Sequence, residues 1–223
     1  NFFVVDYKNT LRCFKIKDGS ECWNVPTENS LTISGSKYSI IVSNDLVIFN
    51  NSIGDITAVN ISTGLINWQL PTQNSNIINE SYSLINSQLV ADETSLYFSN
   101  NKNEFYSVDL IKGVIKWVNK INSTMTPILV NDLIFTISED GYLITIHKKQ
   151  GNILRITDIY KDYKSKNRKK IKPVGFSIGQ NKLFLSNTDG KMIIVKLDSG
   201  KPMESIKISG NIISKPFIHK GNL

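Results

Sequence analysis

With 223 residues, 40% of them hydrophobic, the chain has apolar material for one large domain or two small ones, and its composition is not that of a disordered chain. Its longest apolar stretches, such as Ile40 to Val42 and Leu46 to Phe49, fall far short of the roughly 20 residues needed to cross a bilayer, and none is flanked like a signal peptide. A formal charge of +7 and a pI near 9.3 invite phosphate binding, but 23 of the 26 cations are lysines, poorer bidentate readers than arginine, so nucleic acid is not an expected partner.

In chain order, the first signal is an apolar run, Phe2 to Val5, followed by "CFKIKDGSECW" (13 to 23). Apolar and polar residues alternate on both sides of Gly19, which predicts a β-hairpin closed by a glycine at positive φ. Cys13 and Cys22 flank it; two cysteines without CxxC spacing make neither a disulfide scaffold nor a metal site. Two free thiols are expected, a bridge staying open if register sets the pair opposite each other. The pattern recurs as "AVNISTGLINW" (58 to 68), "SVDLIKGVIKW" (107 to 117), "TIHKKQGNILR" (145 to 155) and "IVKLDSGKPME" (194 to 204). Gly19, Gly64, Gly113, Gly151 and Gly200 thus return every 40 to 50 residues or so, the period of a propeller blade. Asn60 and Asp109, at the third place, are expected to accept hydrogen bonds from turn amides. Trp23, Trp68 and Trp117 end the first three hairpins and are absent from the last two. Each falls early on an outgoing strand, where it is expected to dock on the neighbouring hairpin and bury roughly 200 Å².

Upstream of the hairpins come two further strand signals. One is a proline-led strand, "TPILV" (126 to 130), "KPVGFSI" (172 to 178) and "KPFIH" (215 to 219). The other is "DLVIF" (45 to 49), "TSLYFS" (94 to 99), "DLIFTI" (132 to 137) or "NKLFLS" (181 to 186). Four antiparallel strands per period, with no stretch of helical spacing, predict an all-β chain: a β-propeller of four-stranded antiparallel blades, about five of them, with residues 1–223 forming a single partial propeller domain. No Trp-Asp dipeptide ends a strand and paired glycines are missing, against WD and kelch blades. The basic run "YKDYKSKNRKKIKP" (160 to 173) is expected to be a solvated loop, with a partner surface as the sharper alternative.

The hairpin pattern of small residue, apolar, Asp or Asn, two variable places, Thr, Lys or Ser, Gly and then Trp resembles the repeat of quinoprotein (PQQ-like) propellers. Within them, "SKYSIIVSNDLVIFNNSIGDITAVNISTGLINW" (36 to 68) and "QLVADETSLYFSNNKNEFYSVDLIKGVIKW" (88 to 117) are similar to the BamB family, lipoprotein propellers of the outer-membrane β-barrel assembly machinery. The resemblance implies an eight-bladed ring to which this chain supplies about five blades. It also implies protein partners in that machinery and a place on the periplasmic face of the outer membrane, held by a lipid anchor outside this chain. The chain opens at Asn1 inside an apolar run and stops at Leu223, so both ends read as cut. Family members touch their barrel-forming partner through leucines and arginines in loops matching Leu31 to Ser36 and Gln69 to Leu84. Here "TISGS" (32 to 36) and "IINESYSLI" (77 to 85) carry no arginine, and Ile33, Tyr82 and Leu84 are the candidate contacts.

Superfamily enzymes pair the quinone with Ca²⁺, an aspartate base and adjacent cysteines, none of which is assembled in this sequence. Cys13 and Cys22 are not neighbours, and Asp140 and Asp189 sit in Asp-Gly turns. His147 and His219 lie on different repeats without ligand spacing. No catalytic, cofactor or metal site is therefore expected. The reading is a non-catalytic interaction scaffold assisting outer-membrane barrel assembly. The alternatives are a fragment of a PQQ-dependent dehydrogenase and a luminal sensor-type propeller.

Overall fold

A computed structural model describes residues 1–28, 38–72 and 84–218. The chain divides into two compact units, Asn1–Asn119 with three sheets and Lys120–Leu223 with two. The first sheet holds β1 (Phe2–Val5), β2 (Thr10–Phe14) and β3 (Glu21–Pro26). The second holds β4 (Ile40–Ser43), β5 (Leu46–Asn50), β6 (Ile56–Asn60) and β7 (Ile66–Leu70). The third holds β8 (Val90–Ala91), β9 (Ser95–Ser99), β10 (Phe105–Asp109) and β11 (Ile115–Asn119). In the second unit β12 (Ile128–Val130), β13 (Leu133–Ile137), β14 (Tyr142–His147) and β15 (Ile153–Asp158) make one sheet. β16 (Pro173–Gly179), β17 (Lys182–Asn187), β18 (Lys191–Lys196) and β19 (Pro202–Lys207) make the other. Among the described residues every sheet is an antiparallel meander in chain order, and the five are separate ladders. Four sheets have the expected four strands. The first has three, which align with the second to fourth of the others because Gly19 lies between its last two.

The middle strands explain why the sheets stack. β5 is buried along its whole length, so both of its faces are covered. Val47 and Phe49, with Val59 of β6, pack on Leu11 and Val25 of the first sheet. Leu46 and Ile48, with Ala58, point the other way, to Leu96, Phe98 and Val108 of the third. The period-2 alternation of a strand therefore feeds two interfaces at once. In the second unit Phe135 and Ile137 of β13 meet Leu183, Leu185 and Val195 of the last sheet in the same manner. Each such fully buried apolar side chain contributes roughly 1.5–3 kcal/mol.

All five glycine hairpins close alike. The glycine amide donates to the carbonyl four residues back, as Gly64 to Asn60 at 3.0 Å and Gly113 to Asp109 at 2.9 Å, and φ is between +70° and +76°. Asn60 Oδ1 accepts from the amides of Ser62 and Thr63, and Asp109 Oδ1 from those of Ile111 and Lys112, as the sequence predicts. The bond from the Lys112 amide is the largest influence holding the Asp109 carboxyl below its usual range. Each hairpin carries a register shift at one place: Trp23, Trp68, Trp117, Arg155 and Glu204 pair with Cys13, Ala58, Ser107, Thr145 and Ile194, and the residue before each is bulged. A bulge bends its strand and re-aims the next side chain, so the Trp position is structurally kept where tryptophan is lost.

Two expectations need correction. "KPFIH" is not a strand over its described part: residues 215–218 form no ladder, and they lie against β16, where a Cβ on Gly175 would meet Lys215 and one on Gly179 would meet Ile218. A proline-led strand exists only when the next strand of its own sheet pairs with it, and no described segment does so here. The basic run contains one helical turn, α1 (Ser165–Arg168), where only a loop was expected.

Candidate interaction surface

The seal between sheets is built from the paired residue that follows the bulge. Trp23 Nε1 donates to the Ile61 carbonyl of the next sheet at 3.0 Å, and Trp68 Nε1 to the Leu110 carbonyl at 3.1 Å. Each acceptor stands three residues before a turn glycine, and the indole lies on that glycine. A Cβ at Gly64 would come 2.7 Å from Trp23, and one at Gly113 2.5 Å from Trp68. Gly19 carries the same φ of +70° but has nothing within 4 Å. Trp117 stacks on Phe105 of its own sheet, with ring centroids 5.9 Å apart.

In the fourth sheet Arg155 takes the tryptophan's place. Its guanidinium donates to the Leu197 carbonyl, three residues before Gly200, at 2.6 Å, and also to the Asp198 carbonyl. A Cβ on Gly200 would approach Arg155 Nε to 2.9 Å. A planar cation with several donors thus reproduces the flat face and the hydrogen bond of an indole. Sequence reasoning recorded position 155 only as a lost tryptophan; the bulge and the downstream glycine are the signals that assign its role.

A second missed set is the buried asparagines at the ends of the strands leading into the inner turns. Asn51 Oδ1 accepts from the amides of Ile53 and Asp55, and Asn100 Oδ1 from those of Lys102 and Glu104. Asn9 of the first sheet reaches the second, accepting from the Ser52 amide at 3.0 Å. Asn187 accepts from the hydroxyl of buried Tyr160 at 2.5 Å. The recurring asparagine after "VIFN", "YFS" and "FLS" is the sequence signal.

The expected partner residues fare differently. Ile33 and Tyr82 lie outside the described residues, as does His219. Leu84 is 7% exposed, its Cδ2 filling the space beside Gly54 where a Cβ would stand. Cys13 is buried and Cys22 half-buried on adjacent strands, both as free thiols; burial first, then the Cys22 thiol, pushes Cys13 up to about 11. Asp140 and Asp189 both follow strand ends in inner turns, Asp189 Oδ1 accepting from the Lys191 amide. Among the described residues no three of His, Cys, Asp and Glu converge as metal ligands.

The connection between β15 and β16 is the most strongly charged surface. Arg168 bonds Asp158 at 2.7 Å and lies over the Tyr142 ring, 5.4 Å from its centroid. The Lys172 amide donates to Thr188 Oγ1, and Ile171 is buried beneath. Lys161, Lys164, Lys166, Lys169 and Lys170 are exposed and have no ion pair among the described residues.

Face-to-face meanders, three of them sealed by a flat side chain of the last strand (Trp23, Trp68 and Arg155), define a β-propeller, and such a fold presents its connecting loops as a preformed surface for protein partners. Solved propellers share the architecture. BamB from Moraxella catarrhalis superposes with a TM-score of 0.69 at 16% identity, covering 92% of this chain and 60% of that one. Sqt1 from Saccharomyces cerevisiae gives 0.65 at 12%, covering 96% and 62%. The computationally designed Ika8 protein gives 0.71 at 13%, covering 98% and 62%. The chain belongs to the family of the outer membrane protein assembly factor BamB, whose model matches residues 1–157. An uncharacterised protein of Rickettsia prowazekii (strain Madrid E) is 24% identical over 200 residues, covering 83% of this chain and 46% of the relative. This chain therefore spans about half the length of that relative and less than two thirds of the solved structures.

Proposed function

We propose that this chain is part of a non-catalytic propeller scaffold that assists the assembly of outer-membrane β-barrel proteins. The observation that carries the reading is the BamB family match across residues 1–157, over sheets that Trp23 and Trp68 seal to their neighbours. Stiff sheets hold the connecting loops in place before a partner arrives, which lowers the ordering cost of binding. The partners on this reading are proteins of the barrel assembly machinery, and Ile33 and Tyr82, ahead of β4 and β8 in the sequence, are the proposed contacts. No described helix is long and apolar enough to cross a membrane; the proposed location is the periplasmic face of the outer membrane, with a lipid anchor outside this chain.

The test is purification of the full-length protein from its own membranes in mild detergent. Co-purification of the barrel-forming subunit of the assembly machinery supports the scaffold, and recovery from the cytosol without it contradicts it. The quinone-enzyme alternative is checked on the same preparation by adding PQQ and Ca²⁺ with a redox dye. The scaffold reading requires no dye reduction.

A further inference from the structure

We infer that the Lys161 to Lys172 segment is a docking site for an acidic stretch of a protein partner, a deepening that rests on the scaffold reading. Charge is divided unevenly along the chain. Residues 120–223 carry 18 lysines and arginines against 8 acids, a net of +10, whereas residues 1–119 carry 8 against 11, a net of −3. The excess peaks in this segment, and its five unpaired lysines repel one another at a spacing that the fold holds fixed. Both ends of the segment are pinned: Tyr160 is fully buried at one end, Ile171 is 6% exposed at the other, and the Arg168–Asp158 pair ties the middle. A solvated tether needs none of these anchors.

The shape favours a peptide over other polyanions. A groove of about 410 Å³ lies on each side of the segment. One runs between Ser165, Lys169 and Lys172 and the facing Glu139, Asp140 and Tyr142. The other runs between Asn167 and Lys170 and the facing Thr188, Asp189 and Lys191. The three acids are engaged within the protein: Glu139 accepts from the Thr124 hydroxyl, Asp140 pairs with Lys172, and Asp189 accepts from the Tyr163 hydroxyl and the Lys191 amide. Lys169 and Lys170, beside hydroxyl and amide donors, are left to receive a carboxylate side chain. A flat layer of lipid headgroups would not enter the grooves, and the segment has no exposed apolar side chain to insert below them, Ile171 being buried. Bidentate reading or base stacking of nucleic acid would use free arginine or an open aromatic face. Arg168 is committed to Asp158 and Tyr142, and Tyr163 is covered by Lys191 at 5.3 Å.

The experiment measures binding of the purified protein to a fluorescent peptide of alternating glutamate and serine, beside the matching glutamine and serine peptide. The variant K164E/K169E/K170E changes exposed side chains only. A loss of about tenfold is expected, three exposed pairs at about 0.5 kcal/mol each. A weaker loss is expected in K164Q/K169Q/K170Q, which guards against misfolding of the reversal. The control K15E/K17E/K112E makes the same change in net charge on exposed lysines of the first unit and is expected to bind as the parent does. Equal binding of the two peptides, or equal loss in the control, overturns the inference. So does tighter binding to phosphatidylglycerol vesicles or to a short DNA duplex that the same triple variant abolishes. If the peptide fails while the assembly subunit still co-purifies, only this inference falls and the scaffold reading stands.

Discussion

Gly113 and Gly19 form an internal control for the seal between sheets. Both hold φ at +70°, so alanine at either place is strained by the left-handed backbone, roughly 1–2 kcal/mol before a small offset from the stiffer unfolded chain. At Gly19 nothing lies within 4 Å of the new methyl, and the cost is expected to end near 1 kcal/mol. At Gly113 the methyl would stand 2.5 Å from the Trp68 ring, which is 8% exposed and bonded to the Leu110 carbonyl. The ring must move, forfeiting its hydrogen bond and part of its burial, about 2–3 kcal/mol more. All three tryptophans, Trp23, Trp68 and Trp117, lie in the first unit, so urea unfolding followed by their emission reports on the unit that holds both glycines. G113A is expected to cost about 3–4 kcal/mol and G19A about 1. In a Trp68→Leu background the G113A cost should shrink towards that of G19A. Equal costs for the two glycines in the parent would refute the docking argument.

Arg155→Ala is expected to destabilise the second unit by about 1–2 kcal/mol, Arg155→Lys by less, and Arg155→Trp not at all, read by chemical denaturation followed by circular dichroism; a neutral alanine variant removes the equivalence of arginine and indole. A thiol reagent at mildly alkaline pH should label Cys22 promptly and Cys13 only in denaturant, since Cys13 is buried with its thiol pushed up to about 11. Two fast thiols, or none, contradict this. Burial pushes Tyr97 up from 10.0 to about 12, and it also raises Tyr106 and Tyr160. These groups are neutral when folded, so the stability they contribute is complete below pH 10 and is lost as pH rises from 10 towards 12. A urea midpoint that holds steady across that window would contradict the burial of these rings.

Much of the fold is written locally, and that part is legible. A turn glycine at positive φ with alternating strands on both sides is a short-range demand that all five hairpins obey, Gly151 and Gly200 included, and Asn60 and Asp109 close two of them. What stays hidden depends on distant partners. "KPFIH" has the composition of a strand, yet pairing requires a neighbour that its own residues do not supply. Arg155 looks like a missing tryptophan until Gly200 and the carbonyls of Leu197 and Asp198 are set beside it. Leu84 reads as a loop hydrophobe, and only the bare Cα of Gly54 reveals where its side chain goes. The basic run shows its charge plainly, whereas the buried Tyr160 and Ile171 that fix its shape gain meaning only from what covers them.

The proposed role is tested most directly by depleting the full-length protein in its own cells and quantifying outer-membrane β-barrel proteins against lipoproteins of the same membrane. The account predicts that barrel proteins fall while the lipoproteins hold, and that restoring the intact gene product reverses the loss. Unchanged barrel levels at complete depletion, or an equal fall in both classes, would contradict it.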